Sequence, residues 1–346
     1  YLASLNEKVA GATREAMARL QEATITYTTG RCAMNANRDT WDADFGGHVC
    51  GFNPDVPGDE TVVVARVTAP DGRPLASVVN YGCHPTTLAW ENTLLSPDYP
   101  GAMRELVERE TSAPCVFALG ACGDLGPRRG FVGDPEVADR NGRQLGYAAL
   151  AALNGLGPAG TDFEYTGPVI SGATLGTWAD RPLSPERREA ASTFAYGSHV
   201  VELPLKSIPT PEQLQAEIRE WEARRESAEA AGEAVTARDC GARAERARRW
   251  LGRVDELRGR ETYPVPFSVL RAGDALWLTC AGEPYSALQV ELRKRFPEKA
   301  VLASPLSGPM EIAYLLPREK YGLGLYQEEP SILAPGCLEA LIEAIA

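Results

Sequence analysis

The spacing of apolar residues predicts an amphipathic helix over residues 1–22, at the start of the chain. Its apolar positions recur every three or four residues, at Leu2, Leu5, Val9, Ala12, Ala16 and Leu20. A β-rich run from Thr24 to Thr28 follows and ends in an Asn-rich loop, and residues 39–60, rich in Gly, Pro and Asp, are predicted as loop. Two β-branched runs, Thr61–Thr68 and Leu75–Cys83, flank the turn segment PDGRP and predict a hairpin.

Strand and helix signals then alternate. The segment SPDYPGAMRELVERE predicts a helix capped by Ser96 or Asp98, and PCVFALG predicts a buried strand. The glycine loop ACGDLGPRRG and a helix over about 134–155 follow. This alternation predicts an α/β fold, a layered mixed sheet flanked by helices. Functional loops in such folds lie beyond the carboxyl ends of strands, where His84 and the glycine loop both fall.

Residues 210–259 have a different composition, rich in Ala, Glu and Arg. They predict two antiparallel helices that break around Ala231–Gly232, a solvated helical hairpin inserted into the domain. After it, YPVPFSVLRAGDALWLTCAGEP predicts a second β-hairpin, followed by a helix from about Pro284 to Arg295. AVLASPLSG predicts a strand, and residues 336–346 predict a terminal helix.

The composition of the chain argues against two classes of protein, those that bind nucleic acid and those that span a membrane. The chain has 346 residues, 44% of them hydrophobic and 24% charged, which is typical of a globular protein. A net charge of −12 argues against a nucleic-acid partner, because a phosphate backbone requires a basic surface. No run of eighteen apolar residues occurs, so no membrane span is predicted.

The cysteines and the first residue bear on localisation. The eight cysteines form no CxxC pair, which argues against a structural zinc knuckle. Several lie in apolar, strand-like segments, which favours a reducing compartment, and we expect a cytoplasmic location. Tyr1 opens directly into a helical pattern, so we expect that sequence upstream of it has been lost.

His84, one of three histidines, is the first candidate for chemistry. It ends a predicted strand, and the proline after it stiffens the exit of the chain, as a metal ligand of fixed orientation requires. It is a metal ligand, a catalytic base or a partly buried histidine bonded to backbone, and its own sequence context does not decide among these.

The glycine loop from Gly120 to Gly130 is the second candidate. Clustered glycines after a buried strand let backbone N–H groups approach a ligand, whereas the alternative is a tight turn in which Asp124 bonds its own backbone. Glu283 follows an apolar strand, and it is either a ligand or general base or a first-turn carboxylate favoured by the helix dipole.

Aromatic and polar residues add two further candidates. Tyr314, Tyr321 and Tyr326 lie close together in sequence, where they either pack as a lid or offer hydroxyl groups. The segment RCAMNANRD contains Asn35 and Arg38, and Arg38 either grips a carboxylate bidentately or forms a surface ion pair.

Five segments resemble, in the same order, motifs of the catalytic domain of the neutral/alkaline non-lysosomal ceramidase family. They are GRCAMNANRD, VVNYGCHPTTLAWENTLLSPDYPG, FALGACGDLGP, PFSVLRAGDALWLTCAGEPYSALQVELR and YLLPREKYGLGLYQEEPSILAPG. The resemblance spans nearly the whole chain and implies one catalytic domain over residues 1–346, with its N-terminal segment missing and the helical hairpin inserted at 210–259.

The resemblance implies a zinc hydrolase that cleaves an amide or related acyl bond of a small molecule with metal-activated water. The zinc of that family is held by two His, one Glu and one Tyr. By position, the implied ligands here are His84, Glu283 and Tyr314, and the implied catalytic residues are Tyr321 and Asp124. The implied substrate-binding residues are Asn35, Arg38, Thr86, Asn92 and Gly123.

Two departures from the family pattern keep an alternative open. The family's first zinc histidine belongs to a segment upstream of Tyr1, so we expect an N-terminal fragment or a homo-oligomer partner to supply it, with His48 as a substitute within the chain. The serine of the family motif GDVSP is replaced by Gly126. The alternative is therefore a catalytically inactive ceramidase-like binding protein or a subunit completed by a partner chain. Phosphoester hydrolysis, aided by Arg128 and Arg129, is a third reading.

Overall fold

The computed structural model describes residues 1–346. The helices are α1 (Leu2–Ala18), α2 (Tyr99–Thr111), α3 (Pro135–Asn154), α4 (Pro185–Ala191), α5 (Pro211–Ala230), α6 (Ala234–Leu257), α7 (Ala287–Arg295) and α8 (Cys337–Ile345). The strands are β1 (Thr24–Arg31), β2 (Asn35–Asn37), β3 (Asp39–Asp42), β4 (Gly47–Cys50), β5 (Thr61–Thr68), β6 (Pro74–Tyr81), β7 (Cys115–Leu119), β8 (Leu125–Pro127), β9 (Thr161–Ile170), β10 (Thr174–Pro182), β11 (Phe194–Pro204), β12 (Thr262–Ala272), β13 (Ala275–Cys280), β14 (Glu283–Pro284), β15 (Ala300–Ser304) and β16 (Tyr314–Leu315). The predicted mixed α/β fold is confirmed.

The first large sheet has the strand order β1-β5-β6-β7, with β7 parallel to β6. The predicted hairpin of β5 and β6 forms its centre. Helices α2 and α3 cover one face, and Val64, Val79, Met103 and Leu145 meet in a buried core there. Asp98 caps α2 by accepting from the N–H of Tyr99, as the sequence indicates.

The second large sheet has the strand order β11-β12-β13-β15, with β15 parallel to β13. Its core holds α7, α8 and one face of α6, and it includes Leu278, Leu288 and Leu341. The two sheets contact each other where Val63 of the first packs with Ala275 and Leu302 of the second. Strands β6, β7 and β13 therefore run toward a common region between two adjoining cores.

The helical hairpin is confirmed as α5 and α6, with Gly232 in the turn at a φ of +76° that favours glycine. It is less solvated than its composition indicates, because α6 buries a stripe at helical spacing. That stripe comprises Ala237, Cys240, Ala244, Ala247, Trp250, Val254 and Leu257. The hairpin therefore packs on the second core through one face.

Several elements differ from the sequence-based predictions. The predicted loop over 39–60 contains the paired strands β3 and β4. Helix α1 forms but has no buried residue, so its apolar stripe faces solvent. The region 161–204 holds three strands that the sequence did not reveal. No helix is both long and apolar enough to span a lipid bilayer.

Candidate functional site

The candidate site lies where chain segments leaving both large sheets meet. His84 follows β6 and the glycine loop follows β7, whereas Glu283 and Tyr314 belong to the short strands β14 and β16 beyond the second sheet. Close backbone packing joins the two sides: a Cβ on Gly123 would lie 2.7 Å from the carbonyl oxygen of Glu283, so only glycine fits. The N–H of Gly123 donates to the carbonyl of Pro284 over 2.9 Å.

His84 is held at both ring nitrogens. Its Nδ1 lies 3.0 Å from the carbonyl oxygen of Leu125, and its Nε2 lies 3.0 Å from Oε2 of Glu283. Since a carbonyl only accepts, Nδ1 carries the proton and the ring orientation is fixed. The side chains of His84 and Glu283 are 14% and 23% exposed, so the pair is reachable from solvent.

The surroundings of His84 and Glu283 shift the pKa values of both side chains. Burial alone lowers the pKa of His84, but its neighbours Cys122 and Glu283 outweigh burial and raise that pKa to about 10. Burial raises the pKa of the Glu283 carboxyl, but its hydrogen bonds with His84 and Tyr314 outweigh burial and hold that pKa below its usual value. The hydrogen bond between His84 and Glu283 therefore shifts both pKa values in the direction that favours an ion pair.

Glu283 does not begin a helix, contrary to the dipole-based alternative for this residue. It pairs in parallel with Tyr314 through the ladder of β14 and β16, and α7 begins only at Ala287. Its N–H donates to the carbonyl of Ala313 over 2.7 Å. The ladder places the carboxylate and the phenol side by side.

Arg38 joins Tyr314 to the glycine loop. It is 4% exposed, so it forms no surface ion pair. Its Nε and Nη2 donate to the carbonyl of Gly123 over 3.2 and 2.9 Å, and Nη2 also donates to the Tyr314 hydroxyl over 3.2 Å. Burial raises the pKa of Tyr314 well above its usual value, and Arg38 offsets only part of that rise.

Asp124 and Asn35 are buried and hold the surrounding backbone. The Asp124 carboxylate accepts from the N–H of Ser286 over 2.6 Å and from its hydroxyl over 2.9 Å, which ties the glycine loop to the start of α7. The Asn35 amide donates to the carbonyls of Asp59 and Gly82, both over 2.7 Å. Both side chains therefore fix loops beside His84.

Thr86 flanks Gly126, opposite Arg38. A Cβ on Gly126 would meet Thr86 Oγ1 at 3.8 Å and Arg38 Cδ at 3.9 Å, so there is room for a side chain or a ligand atom. Thr86 Oγ1 is buried and makes no hydrogen bond within the protein. It is therefore a buried polar atom without a partner beside Gly126.

Two of the predicted site residues lie apart from this cluster. The hydroxyl of Tyr321 donates to the carbonyl of Leu333 over 3.1 Å, and its ring packs against the second core. The Asn92 side chain closes its own loop through the backbone of Leu94. The ring of Tyr326, not that of Tyr321, packs edge-on against Tyr314, with centroids 5.9 Å apart.

Sequence reasoning missed Cys122 and Gln327. Cys122 lies beside His84, and its place inside the glycine loop was the only available signal. Gln327 donates to the carbonyl of Gly123 over 3.2 Å and to Asp39 over 2.9 Å. Nothing local in the sequence marks Gln327, since its partners come from distant segments.

The site offers some, but not all, of the side chains that a zinc ion commonly uses as ligands. No three His, Cys, Asp or Glu side chains form a group suited to a metal ion. His84 Nε2, the Glu283 carboxylate and the Tyr314 hydroxyl nevertheless converge, and zinc accepts nitrogen and oxygen ligands. The 3.0 Å between Nε2 and Oε2 is close to the roughly 3.3 Å between two ligand atoms of a tetrahedral zinc.

Neither remaining histidine completes the set. His48 lies in β4, where its Nδ1 is 2.8 Å from the carbonyl oxygen of Leu323 and its ring contacts Trp41. His199 lies in β11 and stacks on Phe267. Three converging ligands are the number that catalytic zinc sites use, with a further position left for water or substrate.

Comparison with known proteins identifies the fold. No protein-family model and no curated protein matches the chain. Among solved structures, the chain is similar to neutral ceramidase from Pseudomonas aeruginosa, with a TM-score of 0.57 and 16% identity over 96% of this chain and 52% of that chain. It is also similar to a ceramidase complexed with C2, with a TM-score of 0.55 and 14% identity over 95% of this chain and 53% of that chain.

These comparisons confirm the resemblance to ceramidases at the level of fold. The chain spans about half the length of the ceramidase chains that it matches.

Proposed function

We propose that this ceramidase-like chain is a zinc-dependent hydrolase of an amide or related acyl bond, with His84, Glu283 and Tyr314 as metal ligands. The observation that carries the proposal is the 3.0 Å approach of His84 Nε2 to Glu283, with the histidine tautomer fixed by Leu125. Backbone carbonyls orient metal-ligating histidines in this way. The ceramidase-like fold supports the proposal.

Zinc, when bound, supplies Lewis acidity that polarises a substrate carbonyl and lowers the pKa of water. The residues of the chain then have separate tasks. His84 presents Nε2 in one orientation, Glu283 contributes negative charge, and Arg38 positions the Tyr314 hydroxyl by donating to it. Thr86 Oγ1 lies beside Gly126, buried and without a partner in the protein, and would hydrogen-bond a polar substrate group that reaches it.

Tyr326 is better placed to donate a hydrogen bond to the substrate than Tyr321, the catalytic tyrosine that the resemblance implies. The Tyr321 hydroxyl already donates to the carbonyl of Leu333, whereas Tyr326 is 59% exposed and its ring lies against Tyr314. A donor at this place would stabilise the oxyanion that develops on the substrate carbonyl. Asp124 positions the glycine loop through Ser286 and acts indirectly.

The alternative is a catalytically inactive binding protein with the same fold. It is favoured by the absence of a group of three His, Cys, Asp or Glu side chains and by Gly126 at the position of the family serine. A fourth ligand supplied by an upstream segment or by a second chain would complete the ligand set that the ceramidase resemblance implies, and it would favour the enzyme over the binding protein.

Zinc content and hydrolysis together test the proposal. Elemental analysis of the purified protein should show zinc bound in a fixed ratio, and His84→Ala and Glu283→Gln should both lose it. His199→Ala, a histidine outside the site, is the matched control and should retain zinc. A panel of small N-acyl amides, esters and phosphoesters should show turnover of an acyl substrate that depends on His84. A metal-free protein that folds normally and hydrolyses nothing would support the binding protein.

A further inference from the structure

A cavity of about 580 Å³ lies between the loop after β8 and one face of α3. Arg128, Arg129 and Arg140 line it, together with the amides of Asn141 and Gln144 and the ring of Phe52. Its lining contains no carboxylate. The cavity is therefore basic, although the chain as a whole has 47 acidic and 35 basic residues.

The three arginines carry charge that the protein leaves unpaired. The ion pairs of the chain involve other basic residues, and none includes Arg128, Arg129 or Arg140. All three are exposed, so their guanidinium groups are accessible. Three like charges around one concave space repel one another, and an anion between them would relieve that repulsion.

The backbone around the cavity is fixed before any ligand arrives. The N–H of Arg128 donates to the carbonyl of Met34 over 2.9 Å. The buried amide of Asn141 donates to the carbonyl of Arg129 and to Thr87 Oγ1, both over 3.0 Å. These bonds pin the arginine-bearing loop to α3.

One of the arginine side chains also has a fixed neighbour, and the spacing along α3 brings another to the cavity. The Arg128 guanidinium lies 4.9 Å from the centroid of the Phe52 ring, a cation–π contact that limits its motion. On α3, Val137, Arg140, Asn141 and Gln144 follow one another at spacings of three and four residues, so they share the face that lines the cavity. Arg140 therefore faces the loop that carries Arg128 and Arg129.

We propose that this cavity binds a small phosphate-bearing molecule. Guanidinium groups match phosphate oxygens bidentately, and their planar geometry suits a polyvalent anion better than ammonium groups do. The cavity volume falls within the range of small-molecule sites. None of His84, Glu283 and Tyr314 lines this cavity. The proposed anion site therefore does not depend on the proposed zinc hydrolase.

Calorimetric titration with inorganic pyrophosphate tests this site. The protein is first stripped of metal with a chelator, which is then removed, so that a bound metal cannot take up the probe. The wild-type chain should bind pyrophosphate saturably, and the affinity should fall as salt is raised because ions screen the contact. Acetate at the same concentration should not bind, since a single carboxylate engages fewer of the arginines.

Two variants decide the location. The double substitution Arg128→Gln with Arg140→Gln should weaken pyrophosphate binding by about tenfold or more, since it removes two charge-assisted contacts. Arg143→Gln, on the same helix but outside the cavity lining, is the matched control and should bind like the wild type. Circular dichroism confirms that each variant is folded, and Arg140→Gln alone replaces the double variant if that one is not. Absence of saturable binding by the wild type, or equal affinities in all variants, would overturn the proposal.

Discussion

Glu283 and Tyr314 are direct partners in a parallel ladder of two residues per strand, although they lie in different segments of the chain. The carboxylate and the phenol therefore share one rigid backbone unit, with the N–H of Glu283 bonded to Ala313. Their relative position does not depend on side-chain packing alone.

The first prediction concerns Tyr314→Phe. The substitution removes the hydroxyl that lies beside Glu283 and accepts from buried Arg38, while the ring contact with Tyr326 remains. Zinc affinity, measured by competition with a chromogenic chelator, should fall by about tenfold to a hundredfold or more. Urea unfolding should show a loss of about 1–3 kcal/mol, since a donor of Arg38 is left unpaired. Tyr321→Phe is the control, and a zinc affinity equally reduced there would contradict the assignment.

The second prediction separates positioning from metal binding at Asp124. Asp124→Ala leaves the N–H and hydroxyl of Ser286 without their acceptor, so stability in urea should fall by about 2–3 kcal/mol. The folded variant should still bind zinc in the wild-type ratio, because the carboxylate is engaged elsewhere. Asp139→Ala, an exposed change in α3, should leave stability within about 0.5 kcal/mol of the wild type. Loss of zinc from folded Asp124→Ala would instead make Asp124 a ligand.

The third prediction compares two glycines of the same loop. A side chain at Gly126 meets its neighbours only at ordinary contact distances, so Gly126→Ser should change stability by no more than about 0.5 kcal/mol. The same change at Gly123 forces a Cβ to within 2.7 Å of the Glu283 carbonyl oxygen and should cost about 1–3 kcal/mol or more. Thermal unfolding of both variants checks this, and equal melting temperatures would contradict the loop geometry.

The fourth prediction uses the thiols. All eight cysteines are free, and Cys50 alone is exposed. A thiol-specific reagent should therefore modify one group rapidly in the native protein and the others only after unfolding, and Cys50→Ser should abolish the rapid phase. Although the residue is exposed, neighbouring atoms partly bury its thiol, which raises the pKa of Cys50, and Asp39 adds to that rise against the opposing effect of Arg38. Because the thiolate is the reactive form, the rapid rate should keep rising as pH increases past 9. Rapid labelling of several thiols at neutral pH would be inconsistent with this burial pattern.

The sequence predicted elements whose pattern is local. The hairpin of β5 and β6 was predictable because both strands are β-branched and an Asp-Gly turn lies between them. Strands β9 and β10 were not, because their residues are mostly exposed and give no alternation of apolar and polar positions. Apolar spacing correctly predicted that α1 is helical, yet it did not indicate that the helix packs on nothing.

The sequence predicted some residues of the candidate site but not others. The resemblance to ceramidases singled out His84, Glu283 and Tyr314, which the structure brings together. It also singled out Tyr321, whose hydroxyl donates to the carbonyl of Leu333, and it did not single out Tyr326, whose ring contacts Tyr314. Local sequence does not distinguish two tyrosines so close together, because the 3₁₀ turns around them decide which ring contacts Tyr314.

Gly123 has a consequence for the assembly of the molecule. Its carbonyl accepts from Arg38 and Gln327 and its N–H donates to Pro284, so one residue fastens segments from both halves of the chain. His84 comes from the first sheet's side of this junction and Glu283 from the second's. The site therefore needs residues from both halves of the chain. A ligand that binds residues of both halves would stabilise the packing of the two sheets by its binding free energy.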